Sequence, residues 1–186
     1  MQCPSCKSGA LLPVEVDTGL VGAGCAKCHG VLLSLIQYRF WADSLGGALA
    51  SSASLNDGQY ESGGACIDST GVKLCPKCSK FMTKYQIGVD SGNRIELCSH
   101  CDEVWLDKGE WHLLKELELQ KVLPEIFTRA WQNNIRKKRQ ERNWQEHFGA
   151  LIGEQDFERV AEFKRWLDAH DKASDIKHYL TINFDV

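Results

Sequence analysis

Four Cys-x-x-Cys pairs stand at Cys3/Cys6, Cys25/Cys28, Cys75/Cys78 and Cys98/Cys101, and they are the residues of this chain best suited to chemistry. A Cys-x-x-Cys turn puts two sulfurs on one side of a cation with backbone amides aimed at them, and two such turns at the ends of a hairpin complete a tetrahedral shell. The pairs form two sets, with 18 residues between knuckles in the first and 19 in the second. Two Zn(2+) ions are therefore expected, one on Cys3, Cys6, Cys25 and Cys28 and the other on Cys75, Cys78, Cys98 and Cys101. A four-thiolate site leaves no position for water or substrate, so the metal would be structural. Mononuclear iron is the main competitor because it accepts the same ligands; the absence of Gly directly after Cys6 and Cys78 counts against it. A redox role for either Cys-Pro-x-Cys requires a thioredoxin-like strand-to-helix setting that neither position offers.

Other chemistry is sparse. His29 follows a knuckle and His100 lies inside one, but four sulfurs already fill each shell and both imidazoles are expected at the surface. His112, His147, His170 and His178 share no spacing, and no Ser/His/Asp or His-Glu-x-x-His arrangement occurs. The expectation is a non-enzyme with no small-molecule substrate. The ninth cysteine, Cys66, has no partner at ligand spacing and reads as an incidental reduced thiol. The basic stretch Arg136, Lys137, Lys138, Arg139 and Arg142 could lie along a phosphate backbone; it also reads as a solvated helix face with Glu141 and Glu146 beside it. Trp131, Trp144 and Trp166 read as helix packing rather than a base-stacking platform, and exposed aromatics would point to a protein partner.

The elements that must hold these residues come in duplicate. The cysteine pattern repeats after 72 to 73 residues, which reads as two copies of one module. In the second copy Tyr85, Ile87 and Val89 alternate with polar residues, residues 90–93 make a turn, and Ile95 and Leu97 resume before Cys98. The first copy repeats this with Val14 and Val16, the turn at Asp17, Thr18 and Gly19, and an arm softened by Gly22 and Gly24. Past each second knuckle, Ser34 with Gln37 and Asp107 with Glu110 have capping-box spacing, so a helix should follow each ribbon. The first helix should stop at Gly46-Gly47, and the second should run to about Leu123, where Pro124 breaks it. Between the copies, six glycines and six serines in residues 43–72 suit a flexible linker. Beyond Pro124, Phe127, Trp131 and Ile135 recur at helical spacing, as do Trp144, Phe148 and Leu151, with Gly149 and Gly153 bracketing a turn. Phe157, Val160, Phe163 and Leu167 line another helix, Ser174 can cap a last one, and residues 181–186 alternate like an edge strand.

At 186 residues, with 43% hydrophobic and 25% charged composition, the chain has ordinary globular character, which excludes collagen-like, wholly disordered and membrane-spanning classes. Its N-terminus, Met1-Gln2-Cys3, lacks a basic-then-apolar leader, so a reducing, cytoplasmic setting without membrane contact is expected, where clustered cysteines hold metal more often than they pair. The formal net charge of −3 gives no bulk attraction to phosphate, and two thiolate-bound zinc sites would take it to about −7. Only residues 110–150 carry a basic surplus, 8 basic against 6 acidic groups.

Cys75-Pro76-Lys77-Cys78 followed by residues 95–110, ending Trp105-Leu106-Asp107-Lys108-Gly109-Glu110, resembles the bacterial transcription-factor-IIB-type zinc-ribbon family, whose exit motif is Trp-Leu-Asp-x-Gly-Glu. The match spans about a fifth of the chain. Ser99 stands where that family has Pro, Asp102-Glu103 where it has two glycines, and Val31-Leu32-Leu33-Ser34 makes the first copy a degenerate one. The resemblance implies a zinc-ribbon fold with four-cysteine ligation, and the family name implies transcription or nucleic acid. The combined expectation is a small zinc-stabilised α+β protein: ribbon 1 with its exit helix at 1–45, linker at 46–72, ribbon 2 at 73–123 and a helical domain at 124–186. Its expected role is macromolecular interaction, with a protein partner favoured and DNA or RNA binding through residues 136–142 as the alternative.

Overall fold

The computed structural model describes residues 1–48, 71–89 and 91–182. It divides into two compact units, Met1–Arg136 and Lys137–Val186. The first is α+β. Its strands are β1 (Leu11–Asp17), β2 (Leu20–Cys25), β3 (Val31–Ser34), β4 (Thr83–Gln86), β5 (Arg94–Cys98) and β6 (Glu103–Leu106). They form one antiparallel sheet in the order β1-β2-β3-β6-β5-β4. Helices α1 (Leu35–Ala48), α2 (Glu110–Glu116) and α3 (Leu123–Ile126) follow the strands, and α4 (Arg129–Ile152), α5 (Glu154–Asp168) and α6 (Ala173–Thr181) close the described chain. No helix among the described residues is long and apolar enough to cross a membrane.

Both ribbons contribute to the same sheet. Each hairpin gains a third strand, and the third strands pair with each other: Val31 faces Leu106, Leu32 faces Trp105, and Leu33 faces Val104. Exchanging the copies maps this register onto itself, so an approximate two-fold passes through the Leu32–Trp105 pair. The apolar runs Val31-Leu32-Leu33 and Val104-Trp105-Leu106 are buried at every residue because both faces of the sheet centre are covered. On one face Val31, Leu33, Val104 and Leu106 pack with Tyr38 and Trp41 of α1, Trp111 and Leu114 of α2, and Leu123 and Ile126 of α3. On the other, Leu32 and Trp105 lie with Leu11, Met82 and the inner cysteines of both quartets.

Side-chain hydrogen bonds tie the helices down. Trp41 Nε1 donates to the Thr18 carbonyl at 3.0 Å and Trp111 Nε1 to Asp17 Oδ2 at 3.0 Å, both at the β1–β2 turn, where Gly19 takes φ 77°. The Tyr38 hydroxyl donates to the Gln120 carbonyl and accepts from the Leu123 amide. On the β4 edge the Gln132 side chain pairs with the Gln86 backbone in both directions, at 3.2 and 3.0 Å, which occupies polar groups of an otherwise open strand.

Several expected boundaries move. Helix α1 continues through Gly46 and Gly47 to Ala48. Helix α2 ends at Glu116, seven residues short of the expected Leu123, because Glu118 turns left-handed at φ 57°; Pro124 then opens α3, where its missing N–H costs nothing. Gly149 lies inside α4 and only Gly153, at φ 87°, breaks the chain. Ser174 sits within α6, whose N-cap is Lys172, and Thr181 is still helical. The division between units falls inside α4, whose first turns are held to the sheet by Trp131 and Gln132. Most of the linker, Cys66, part of the β4–β5 turn and residues 183–186 lie outside the described residues.

Candidate metal centres

The eight cysteines gather as the two quartets, and within each the sulfurs all lie within 4.8 Å of one another. Close pairs are Cys3–Cys28 at 3.4 Å, Cys6–Cys25 at 3.6 Å and Cys78–Cys98 at 3.5 Å. These separations are far too long for disulfides, and all eight thiols are free. Four sulfurs about 2.3 Å from a zinc ion at tetrahedral angles stand about 3.8 Å apart, so the quartets are close to the size the ion requires. Each could hold one.

All four knuckles are built alike. The first cysteine of each is buried and the second half-exposed. The residue after the second cysteine is left-handed in every case: Lys7 at φ 55°, His29 at 59°, Ser79 at 59° and Asp102 at 53°. That twist returns the chain, so Lys7, His29 and Ser79 donate their amides to the carbonyls of Cys3, Cys25 and Cys75. Further amides point at sulfur, those of Ser5 and Cys6 at Cys3, Ser8 at Cys6, Gly30 at Cys28, Lys77 and Cys78 at Cys75, and Lys80 at Cys78. Amide dipoles of this kind stabilise thiolates, as a zinc site demands. The Ser8 hydroxyl and amide bring Cys6 down to about 6, and the Lys80 amide brings Cys78 down to about 7. Burial holds Cys3, Cys28 and Cys75 high, while Cys101, which donates to the Cys78 sulfur, is pushed up to about 12. One outer thiol of each quartet, Cys6 or Cys78, ionises readily, whereas burial keeps Cys3, Cys28 and Cys75 protonated and the hydrogen bond to Cys78 does the same for Cys101; a bound dication would favour the thiolate forms.

Two glycines are required by the centres. A Cβ on Gly9 would stand 2.5 Å from Cys25 Sγ, and one on Gly30 would stand 2.3 Å from Trp105 Cζ2. His29 and His100 join neither quartet, and the Lys80 ammonium lies 3.1 Å from His100 Nδ1.

Beside the second centre lies a buried ionic network that sequence reasoning missed. Lys73, two residues before Cys75, is buried with its ammonium on Glu96 and 3.0 Å from Asp107 Oδ2. Lys84 adds a second cation 3.4 Å from Glu96. The exit motif closes on this network. Trp105 Nε1 donates to Asp107 Oδ1 at 2.8 Å, the Asp107 amide donates to Glu110 Oε2 at 2.7 Å, and Gly109 takes φ 84° to open α2. The Asp107–Glu110 spacing thus forms half a capping box, in which Glu110 reaches back to the Asp107 amide while the Asp107 carboxylate meets Trp105 and Lys73. Burial works against the Lys73 charge, but hydrogen bonding and attraction from Glu96 and Asp107 outweigh it and leave that ammonium harder to deprotonate than usual. Burial raises Glu96, partly offset by Lys73. Burial raises Glu110 well above the carboxylate range, and Asp107 and Glu96 reinforce the effect. Two cations then face three acidic side chains, among which burial disfavours the charged form of Glu110 most strongly. The first ribbon has Met1, Ala23, Ser34 and Gln37 at the matching positions, so it carries no such network. The sequence signal was the polar Glu96 between Ile95 and Leu97, which alternation assigns to solvent but the second covered face buries.

Of the residues considered for phosphate contact, Arg136, Lys137, Lys138 and Arg139 are exposed and Arg142 is half-exposed. Arg136 Nη2 donates to Asn133 Oδ1 at 2.8 Å and Arg142 lies 3.8 Å from Glu146, as on a solvated helix face. No family model matches the chain, and no curated protein and no solved structure does either.

Proposed function

We propose that this protein is a non-enzymatic zinc-binding adaptor of the cell interior, in which two structural zinc ions set the shape of a double ribbon and the C-terminal helices dock a protein partner. The single observation that carries the reading is that both thiol groups are four-cysteine sets, joined by no further His, Cys, Asp or Glu among the described residues. Zinc bound there would have no open position and would act on folding instead of on a substrate. Its contribution would be large, of order 10 kcal/mol in small zinc modules. Kinship with the transcription-factor-IIB-type zinc ribbons is part of the proposal and rests on the Cys-Pro-x-Cys and Trp-Leu-Asp-x-Gly-Glu motifs. The docking role draws support from the exposed aromatic side chains of the last helices, Trp144, Phe148, Phe163 and Trp166.

Elemental analysis with native mass measurement tests the metal reading, the expected result being two zinc ions per chain and loss of near-ultraviolet circular dichroism with a chelator. A metal-free chain that stays folded refutes it. The nucleic-acid alternative draws on the exposed Arg136–Arg139 segment. It requires RNA or DNA binding that collapses with salt and weakens when Arg136, Arg139 and Arg142 become Gln; binding unaffected by both removes it.

A further inference from the structure

The C-terminal unit carries an apolar surface out of proportion to its core. Among its described residues only Leu167 is buried. Trp144, Phe148, Leu151 and Ile152 form a stripe along α4, and Val160, Phe163 and Trp166 form one along α5, each 40–67% exposed. Within the stripes Trp144 stacks on Phe148 at 5.5 Å and Phe163 lies against Trp166 at 5.5 Å. A unit this small with one buried apolar side chain cannot sustain itself in water.

The connection explains why the stripes do not cover each other. Helices α4 and α5 are joined by Gly153 alone. An antiparallel helical hairpin needs a loop of roughly two to five residues. One residue is too short for α5 to fold back along α4, so an occupant must come from elsewhere.

We propose that the occupant is a second copy of this chain, with α4 of each copy packed along α5 of the other across a two-fold. This deepens the docking reading above and rests on it. Charge selects the occupant. Helix α4 carries six basic and two acidic residues, whereas α5 carries five acidic and three basic ones. The pair is therefore self-complementary when exchanged between copies, as an isologous interface must be. An anionic lipid surface or a nucleic acid would be attracted by α4 and repelled by α5. The area suffices as well. Each large side chain in the stripes leaves about 100 Å² uncovered, so two copies can bury about 1,400 Å², within the range of specific interfaces.

The test uses the full chain as purified, its metal content measured, in sedimentation equilibrium from about 1 to 100 µM, a range that reaches the weaker affinities found for interfaces of this size. The wild type is expected to be dimeric. Trp144→Ala combined with Phe163→Ala removes four aromatic anchors across the two-fold and, at about tenfold each, should raise the dissociation constant by about 10,000-fold, which abolishes the dimer over this concentration range. A second variant guards against simple unfolding. Inserting Gly-Asn-Gly after Gly153 gives α5 the slack to fold back, and should yield a folded monomer with blue-shifted tryptophan emission. A wild type that stays monomeric at the highest concentration overturns the proposal, as does a monomer that binds phosphatidylserine vesicles or RNA through these residues. Metal content read on the same samples separates the two claims. A dimer without zinc sustains this inference and refutes the structural-zinc reading, whereas a zinc-loaded monomer does the reverse.

Discussion

Each of the four knuckles ends on a left-handed residue that is not glycine, and this makes a graded stability series. A left-handed residue with a Cβ carries about 1–2 kcal/mol of steric strain, while glycine loses about 0.5–1 kcal/mol more in chain entropy on folding. Lys7→Gly and Ser79→Gly should therefore each stabilise by about 0.5–1 kcal/mol. His29→Gly and Asp102→Gly should gain less, because His and Asp visit this region several times more often than Lys or Ser. Nothing in the bonding opposes the change, since the amides of Lys7 and Ser79 donate to Cys3 and Cys75 through backbone atoms that glycine keeps. The two positions serve different quartets, so the Lys7→Gly/Ser79→Gly double variant should gain about 1–2 kcal/mol, or about 3–6 °C in melting temperature. Urea unfolding at buffered free zinc, with unchanged slope, gives the comparison. A lowered midpoint for either single variant, or a gain at His29 and Asp102 matching that at Lys7 and Ser79, refutes the strain argument.

The glycines against the centres should behave oppositely: Gly9→Ala drives a methyl into Cys25 Sγ and should weaken zinc retention at the first site in a chelator competition, while Gly30→Ala meets Trp105 and should cost about 1–3 kcal/mol in urea unfolding. Lys73→Met removes the most buried cation from Glu96 and Asp107 and should cost about 3–5 kcal/mol by the same measurement, much of it recovered by adding Glu96→Gln. Glu110 is raised, so it favours the fold below its unfolded pKa and loses that advantage as pH rises through its folded value. Glu110→Gln keeps the acceptor for the Asp107 amide and has no proton to lose. Its stability relative to wild type should climb from pH 6 to pH 9 with zinc held saturating, and a flat difference would count against a neutral buried acid.

Much of this was legible in the chain. The two cysteine groupings follow from spacing, because a Cys-x-x-Cys turn has few conformations, and the hairpins follow from alternation around Asp17-Thr18-Gly19 and into Cys98. The third strands were harder to see. Val31-Leu32-Leu33 and Val104-Trp105-Leu106 are short apolar runs without alternation, which periodicity alone does not assign, and their pairing spans more than seventy residues. Lys73 and Glu96 were missed for a related reason, since a charge in an alternating strand is assigned to solvent unless the second face is known to be covered. The early end of α2 depends on Glu118 adopting positive φ, for which Glu carries no sequence signal.

The paired third strands also account for the inequality of the two copies. A lone ribbon would expose the edge of β3 or β6 and could cover only one sheet face with its own helix. Joined edge to edge, each copy closes the other's open edge, and the two-fold brings Leu32 and Trp105 together once, between the quartets. The Trp105 indole packs so closely on Gly30 that a Cβ there would stand 2.3 Å from its Cζ2. The copy that supplies Trp105 must satisfy its buried Nε1, which requires Asp107, and buried Asp107 in turn requires Lys73. The first copy, supplying Leu32, has no buried donor to satisfy and needs none of these residues. Its departure from the exit motif is thus what the shared sheet permits, while its four cysteines, which no residue of the second copy can replace, remain.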